Sequence, residues 1–311
     1  MTTYDCMSNS NLNSKFNYKF IVQYKGTNYS GWQIQTKGGL EHFKSVQGEI
    51  EFSLRKMCND NNNNNVKIVG ASRTDAKVHA LGQVFKATIP IEIPLKGLHL
   101  GLNSLLPPDI RIVEVTTCDE KFHPRKDAKW KEYLYIFKHR PQTNQANHYD
   151  IFYQDLIANY PYQYKNFDLP KMIEACKYFE GKHSFKNFYC KGSDVKTFER
   201  EIYKCELFQF EFKDMFTSTT PPTPLTDTKD TINLNLNLNP TFYQLRIIGN
   251  GFLKQMVRLI VGTLWNIGNG KVEFSELQSA LRGELDETKH LGCVAAAEGL
   301  YLNKISYGEF Q

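Results

Sequence analysis

Apolar and polar residues alternate from Phe16 to Tyr24, with Phe16, Tyr18, Phe20, Val22 and Tyr24 on one side. A two-residue period of this kind predicts a β-strand. Val46, Ile50, Leu54 and Met57 then recur at helical spacing. Short strands are predicted over Val66–Val69 and Gln83–Ile89, a helix over Leu95–Leu105 that stops before Pro107, and a strand over Ile110–Thr116. The order is β-α-β-β-α-β. The second half repeats it. Lys131–Phe137 reads as a strand, and Leu169–Glu180 as a helix with Pro170 in its first turn and Gly181 just past its end. Strands Glu201–Phe212 and Thr241–Ile248 follow, then a strongly apolar helix over Gly251–Ile267. A further helix is expected to begin at Ser275, where Ser275 and Gln278 make a capping-box pattern. Leu300–Ser306 closes the chain as a strand.

Two successive units of this order predict an α+β fold built from two ferredoxin-like halves. The halves would join into an extended antiparallel sheet with helices on one side and a central cleft for a large ligand. The expected divisions are a flexible segment at residues 1–15, a first half at 16–120 and a second at 121–311. Two stretches read as insertions: the Asn-rich tract Asn59–Asn65 and the longer Asp214–Asn239, which opens with Ser, Thr and Pro and ends in an Asn-Leu alternation. The Pro-rich part cannot supply a buried strand and is expected to be a flexible surface loop.

Composition narrows the function classes. A net charge of +5 fits a polyanionic partner without requiring one. The most apolar stretch, Gly251–Ile267, is interrupted by Lys254, Gln255 and Arg258, and nothing else approaches a membrane span. The first sixteen residues lack the apolar core of a secretory signal. The seven cysteines include no C-x-x-C pair and the histidines show no metal-ligand spacing. Reduced thiols in an intracellular protein, with no zinc site, are the expectation. The cytoplasm comes first, with nucleus and mitochondrion left open.

The segment Gly70–Val84, GASRTDAKVHALGQV, carries the chemistry. It lies between two predicted strands, with Arg73, Thr74 and Asp75 adjacent in a loop. A generic R-T-D would be a surface turn with a local salt bridge. This one resembles the signature G-R-T-D-A-G-V-H-A of the TruA family of tRNA pseudouridine synthases, with Ser72 and Lys77 in place of its two glycines. The resemblance extends through YKGTNYSGWQ at Tyr24–Gln33, SVQGE at Ser45–Glu49, NSLLPPDI at Asn103–Ile110 and FHPR at Phe122–Arg125. KEYLY at Lys131–Tyr135, GKHSFKNF at Gly181–Phe188, GFLKQMVRLIVG at Gly251–Gly262 and EGLYL at Glu298–Leu302 continue it in family order. Both insertions fall between these segments.

The resemblance implies an isomerase that detaches uracil from C1′ of its ribose, turns it and rejoins it through C5, a reaction that needs no redox cofactor and no metal. The substrate would be tRNA, with uridines 38 to 40 of the anticodon arm as the typical targets. It also implies that Asp75 is the catalytic carboxylate, adding to the ribose or base or taking a proton from C2′. The residues leave those routes open. Tyr133 would stack on the target base, although its alternation with Tyr135 puts both on one sheet face. Arg73 would contact the RNA backbone or fill the gap left when the uridine leaves its stack. A homodimer is one assembly the resemblance allows. Arg258 also stands on a physical argument: it lies in a helix apolar almost all round, where an unpaired guanidinium would cost several kcal/mol. It therefore needs a carboxylate, and the family's arginine at this position pairs with the catalytic Asp. The competing reading is an arginine snorkelling at the helix edge. Trp32 and Gln33 are expected to pack near the loop, and His79 to be structural. The alternative to an enzyme is a non-catalytic RNA-binding protein on the same scaffold, or a related synthase acting on other RNA sites.

Overall fold

The computed structural model describes residues 15–37, 40–41, 43–60, 65–139, 153–162, 167–192, 195–210 and 241–310. The Asp214–Asn239 insertion and residues 1–14 lie outside the described residues, as do the middle four positions of the Asn-rich tract. In chain order the elements are β1 (Phe16–Tyr24), β2 (Thr36–Lys37), β3 (Leu40–Glu41), α1 (Val46–Cys58), β4 (Lys67–Gly70), β5 (His79–Ile89), α2 (Leu95–Leu105) and β6 (Ile110–Thr117). They continue with β7 (Trp130–His139), β8 (Ala158–Asn159), α3 (Leu169–Phe179), β9 (Gly181–Ser184), β10 (Glu199–Phe210) and β11 (Thr241–Gly249). The last are α4 (Met256–Gly268), α5 (Phe274–Leu281) and β12 (Leu300–Ser306).

Among the described residues, one ten-stranded sheet runs β6-β1-β5-β12-β7-β11-β10-β9, with β4 also on β5 and β8 also on β7. The chain is thus α+β on a large mixed sheet. The expected all-antiparallel arrangement is corrected at two places. Tyr301 and Leu302 of β12 lie parallel to His79 and Ala80 of β5, and β8 lies parallel to β7. The first exception has a simple cause. The four residues of β4 cover only Phe85–Thr88 of the eleven-residue β5, which leaves the other end of β5 with an open hydrogen-bonding edge. β12 closes that edge, because an unpaired edge is a liability. One apolar cluster continues across the seam, from Phe20 and Phe85 through Leu302 to Tyr135, Trp265 and Phe179.

The period-based boundaries are close for most elements, and α2 and β12 span the predicted residues. Two helix starts differ. The apolar run from Gly251 is not helical until Met256, because Gln255 adopts a left-handed backbone with φ 61° that turns the chain into the helix axis. Residues 252–255, just before it, form a wall of the cavity described below. α5 begins one residue earlier than expected, at Phe274, with Glu273 as the flanking residue and no side-chain cap, so the Ser275–Gln278 capping box does not form. Elsewhere the capping rules hold: Ser45 and Asp168 accept backbone N–H groups at the starts of α1 and α3.

Candidate active site

Asp75 sits in the loop between β4 and β5, and close glycine contacts fix that loop. A Cβ on Gly31, whose φ is +117°, would lie 2.5 Å from the Thr74 carbonyl oxygen. A Cβ on Gly26 would lie 2.0 Å from the Val78 oxygen, and one on Gly70 would lie 2.3 Å from the Trp32 indole nitrogen. The backbone N–H of Trp32 donates to Thr74 at 3.2 Å, and that of Lys77 donates to Tyr29 at 3.2 Å. The Thr74 hydroxyl shares a 2.8 Å hydrogen bond with that of Tyr24. Trp32 is buried at 1% exposure. It packs where the sequence places it, and Gln33 lines a cavity beside Asp75.

Lys77 shows why glycine suits its position: its φ is 66°, a left-handed conformation that side chains adopt at some cost. Ser72 does something glycine could not. Its hydroxyl lies 3.0 Å from the Tyr133 hydroxyl, and the Lys131 ammonium approaches it at 3.4 Å. Gln83 braces the same residue, accepting from the Ser72 N–H and donating to its carbonyl.

Arg258 comes from α4, eleven of whose thirteen residues are buried. Its Nη1 stands 3.6 Å from Asp75 Oδ2, and its Nε donates to the Ala295 carbonyl at 2.5 Å. The Arg258 side chain is 13% exposed and the Asp75 side chain 31%. The guanidinium therefore neither snorkels free nor lies in a fully dry site. The helix presses against the 291–297 segment backbone to backbone. A Cβ on Gly262 would fall 1.9 Å from the Cys293 oxygen, and one on Gly292 would fall 2.2 Å from the Gly262 carbonyl carbon.

Two cavities meet at Asp75. One, of about 370 Å³, is lined by Asp75, Arg73, Arg125, Lys131, Tyr133 and the Phe252–Val257 stretch, among others. The other, of about 430 Å³, holds Gln33, Gln35, Gln255 and Arg258, and again Asp75. Among the described residues Asp75 is the one carboxylate in either lining. Tyr133 packs edge-on against Phe252 at 5.0 Å, and burial pushes its phenol up to about 12. Tyr135, two residues on, has its hydroxyl tied to the Ala296 carbonyl and its ring against Trp265. Of the two tyrosines, Tyr133 faces the cavity. Arg73 is exposed on the rim and makes no ion pair with Asp75. His79 is 1% exposed, accepts from the Gly26 N–H and stacks on Tyr301, and burial holds it down at about 4. Sequence reasoning passed over Lys131, Arg125, Phe252 and Gln255, although all four lie inside segments already singled out.

The match to known proteins follows the same segments. A family model described as tRNA pseudouridine synthase matches residues 20–125 and 175–308. The chain belongs to the tRNA pseudouridine synthase family. It is therefore an isomerase. A tRNA pseudouridine synthase A from Bacillus pumilus is 34% identical over 289 residues, covering 93% of this chain and 98% of its own. A tRNA pseudouridine synthase A 2 from Desulfotalea psychrophila is 35% identical over 290 residues, covering 93% and 97%. Among solved structures, a chain of a Cbf5-Nop10-Gar1 complex aligns at TM-score 0.33 and 12% identity. That alignment covers 92% of this synthase and 49% of the other chain, and it is too loose to bear on the fold. Among the described residues no His, Cys, Asp and Glu group could hold a metal ion, and no helix is long and apolar enough to cross a membrane.

Proposed function

We propose that this pseudouridine synthase acts on tRNA, at uridines 38 to 40 of the anticodon arm, with Asp75 as its catalytic carboxylate. The observation that carries the reading is Asp75, the one carboxylate among the described residues lining two adjoining cavities, beside a guanidinium anchored on the Ala295 carbonyl. The reaction breaks the N1–C1′ bond and forms C5–C1′. C5 loses a proton and N1 gains one, so the composition of the nucleoside is unchanged. An ionised carboxylate close to the ribose is the one reactive group this needs. Arg258, itself anchored on the Ala295 carbonyl, holds the Asp75 carboxylate in position from 3.6 Å away. Tyr133, anchored through Ser72 and Phe252, offers a ring against which the uracil stacks. Arg73, free on the rim, takes the RNA backbone or the space the flipped base leaves.

The two strand sets β6-β1-β5-β4 and β12-β7-β11-β10 repeat one spatial order. Reading each as a ferredoxin-like half, divided near residue 120, puts the Asp75 loop in one half and Tyr133 and Arg258 in the other. The site would then lie at the seam of the repeat, where a folded RNA can reach it.

The test is Asp75→Asn. Conversion of uridine in tRNA should disappear while RNA affinity stays within a few-fold, because affinity rests mainly on phosphate contacts. Near-normal conversion by this variant would remove Asp75 from its role. Pseudouridine mapping in cellular tRNA with and without the gene checks positions 38 to 40.

A further inference from the structure

Three cations on the wall of the cavity that Tyr133 faces have no carboxylate partner among the described residues. Arg73 comes from the β4–β5 loop, Arg125 from the β6–β7 loop, and Lys131 from β7, two residues before Tyr133. The cavity's one carboxylate, Asp75, faces Arg258. The three also burden one another. Partial desolvation where its exposed side chain lines the cavity wall, and after it the charge of Arg73, weakens the hold of Arg125 on its proton. Burial and then Arg125 bring Lys131 down to about 8. The Lys131 ammonium spends two of its three N–H bonds, on the Ala71 carbonyl at 2.9 Å and the Ser72 hydroxyl at 3.4 Å. The third remains. Like charges gathered from three segments store repulsion that an anion would release.

We propose that Arg125 and Lys131, together with Arg73, form a subsite for one phosphodiester linkage of the RNA beside the target uridine. This rests on the reading that the cavity takes that uridine. A phosphodiester carries one negative charge on two terminal oxygens, which suits a planar guanidinium and a point-charge ammonium together. The subsite shares its cavity with Asp75 and Tyr133, so the bound linkage is an immediate neighbour of the reacting nucleotide. It fixes register and carries no sequence information of its own.

The experiment uses the full chain in the Asp75→Asn background, so that bound RNA stays unconverted, and a stem–loop RNA that the unmodified enzyme converts. Linkages around the target uridine are replaced one at a time by uncharged methylphosphonate. One linkage should stand out, weakening binding about tenfold, and Arg125→Gln should abolish that difference. Arg125 is exposed, so the variant should fold. Equal effects at every linkage, or the same outlier in Arg125→Gln, would overturn the subsite. So would inorganic phosphate displacing RNA from the parent at concentrations that leave Arg125→Gln unaffected without any outlying linkage, which would assign the site to free anions. Failure of the unmodified enzyme to convert any uridine would instead count against the proposed function.

A second measurement follows Lys131 itself, by the pH dependence of its labelling with an amine-reactive reagent. The charges facing it are Arg125 from the β6–β7 loop, Arg73 and Asp75 from the β4–β5 loop and Lys254 from the segment before α4; Tyr133, neutral in this range, shares its strand. The labelling midpoint should lie near 8. It should rise in Arg125→Gln and rise again when RNA is bound. A midpoint that neither change moves would show that Lys131 senses neither Arg125 nor a phosphate.

Discussion

The two segments that supply Asp75 and Arg258 differ in almost everything except how they are held. The Asp75 loop is polar and half-exposed, with Thr74, Ser72 and Gln83 each hydrogen-bonded to another part of the chain or across the loop. α4 is apolar on nearly every side. Yet each is registered by glycines pressed against backbone, Gly31 on Thr74 in one case and Gly262 on Cys293 in the other. Apolar burial fixes which face of a helix turns inward but tolerates small slides. Backbone touching backbone does not, because neither partner can move to another rotamer. Precise placement of an ion pair between two distant segments is what the close contacts add.

The sharpest way to break this comparison is to add one methyl group on each side. Gly262→Ala places a Cβ 1.9 Å from a carbonyl oxygen in the core, and unfolding free energy should fall by about 3 kcal/mol, as overpacking does. Gly31→Ala places one 2.5 Å from the Thr74 oxygen at a backbone angle side chains avoid. Here stability should fall by about 1–3 kcal/mol, but activity per folded molecule should fall by about 100-fold, the usual consequence of a shift near 1 Å at a reacting group. Denaturant unfolding and single-turnover conversion measure the two effects. If Gly262→Ala were the more damaging to activity and Gly31→Ala to stability, the loop would not be the part that aims the carboxylate.

A smaller effect tests whether the two segments depend on each other. Asp75→Asn and Arg258→Met each strand one member of the pair, while the double change strands neither. The double variant should be destabilised less than the sum of the singles, by about 1 kcal/mol given that Asp75 keeps contact with solvent. Strict additivity in a denaturant cycle would mean that the 3.6 Å approach contributes nothing to holding the two segments together.

The smallest effect concerns the one non-glycine residue of the loop with a left-handed backbone. Lys77→Gly relieves φ 66° but loosens the unfolded chain, so the net gain should be about 0.5 kcal/mol. A loss of stability would mean that the lysine side chain repays its backbone strain.

Much of this molecule is legible in one dimension. The alternation at Phe16–Tyr24 and the helical spacing at Val46–Met57 set strand and helix because period alone decides which side chains can share a face. The lone Arg258 in an apolar helix called for a carboxylate because burying an unpaired charge is costly. Other features lay beyond periodicity. The run from Gly251 reads as one helix since apolarity does not reveal backbone direction, and the left-handed turn at Gln255 that makes its first residues a cavity wall is a tertiary choice. Tyr133 and Tyr135 share a face in any strand, and what separates them is that Ser72 comes over one and Ala296 over the other. The parallel seam of β5 and β12 joins residues more than two hundred positions apart. Local sequence can dictate the faces of its own elements, but which edge is left open, and what arrives to close it, is settled only when the whole chain competes for the same hydrogen bonds.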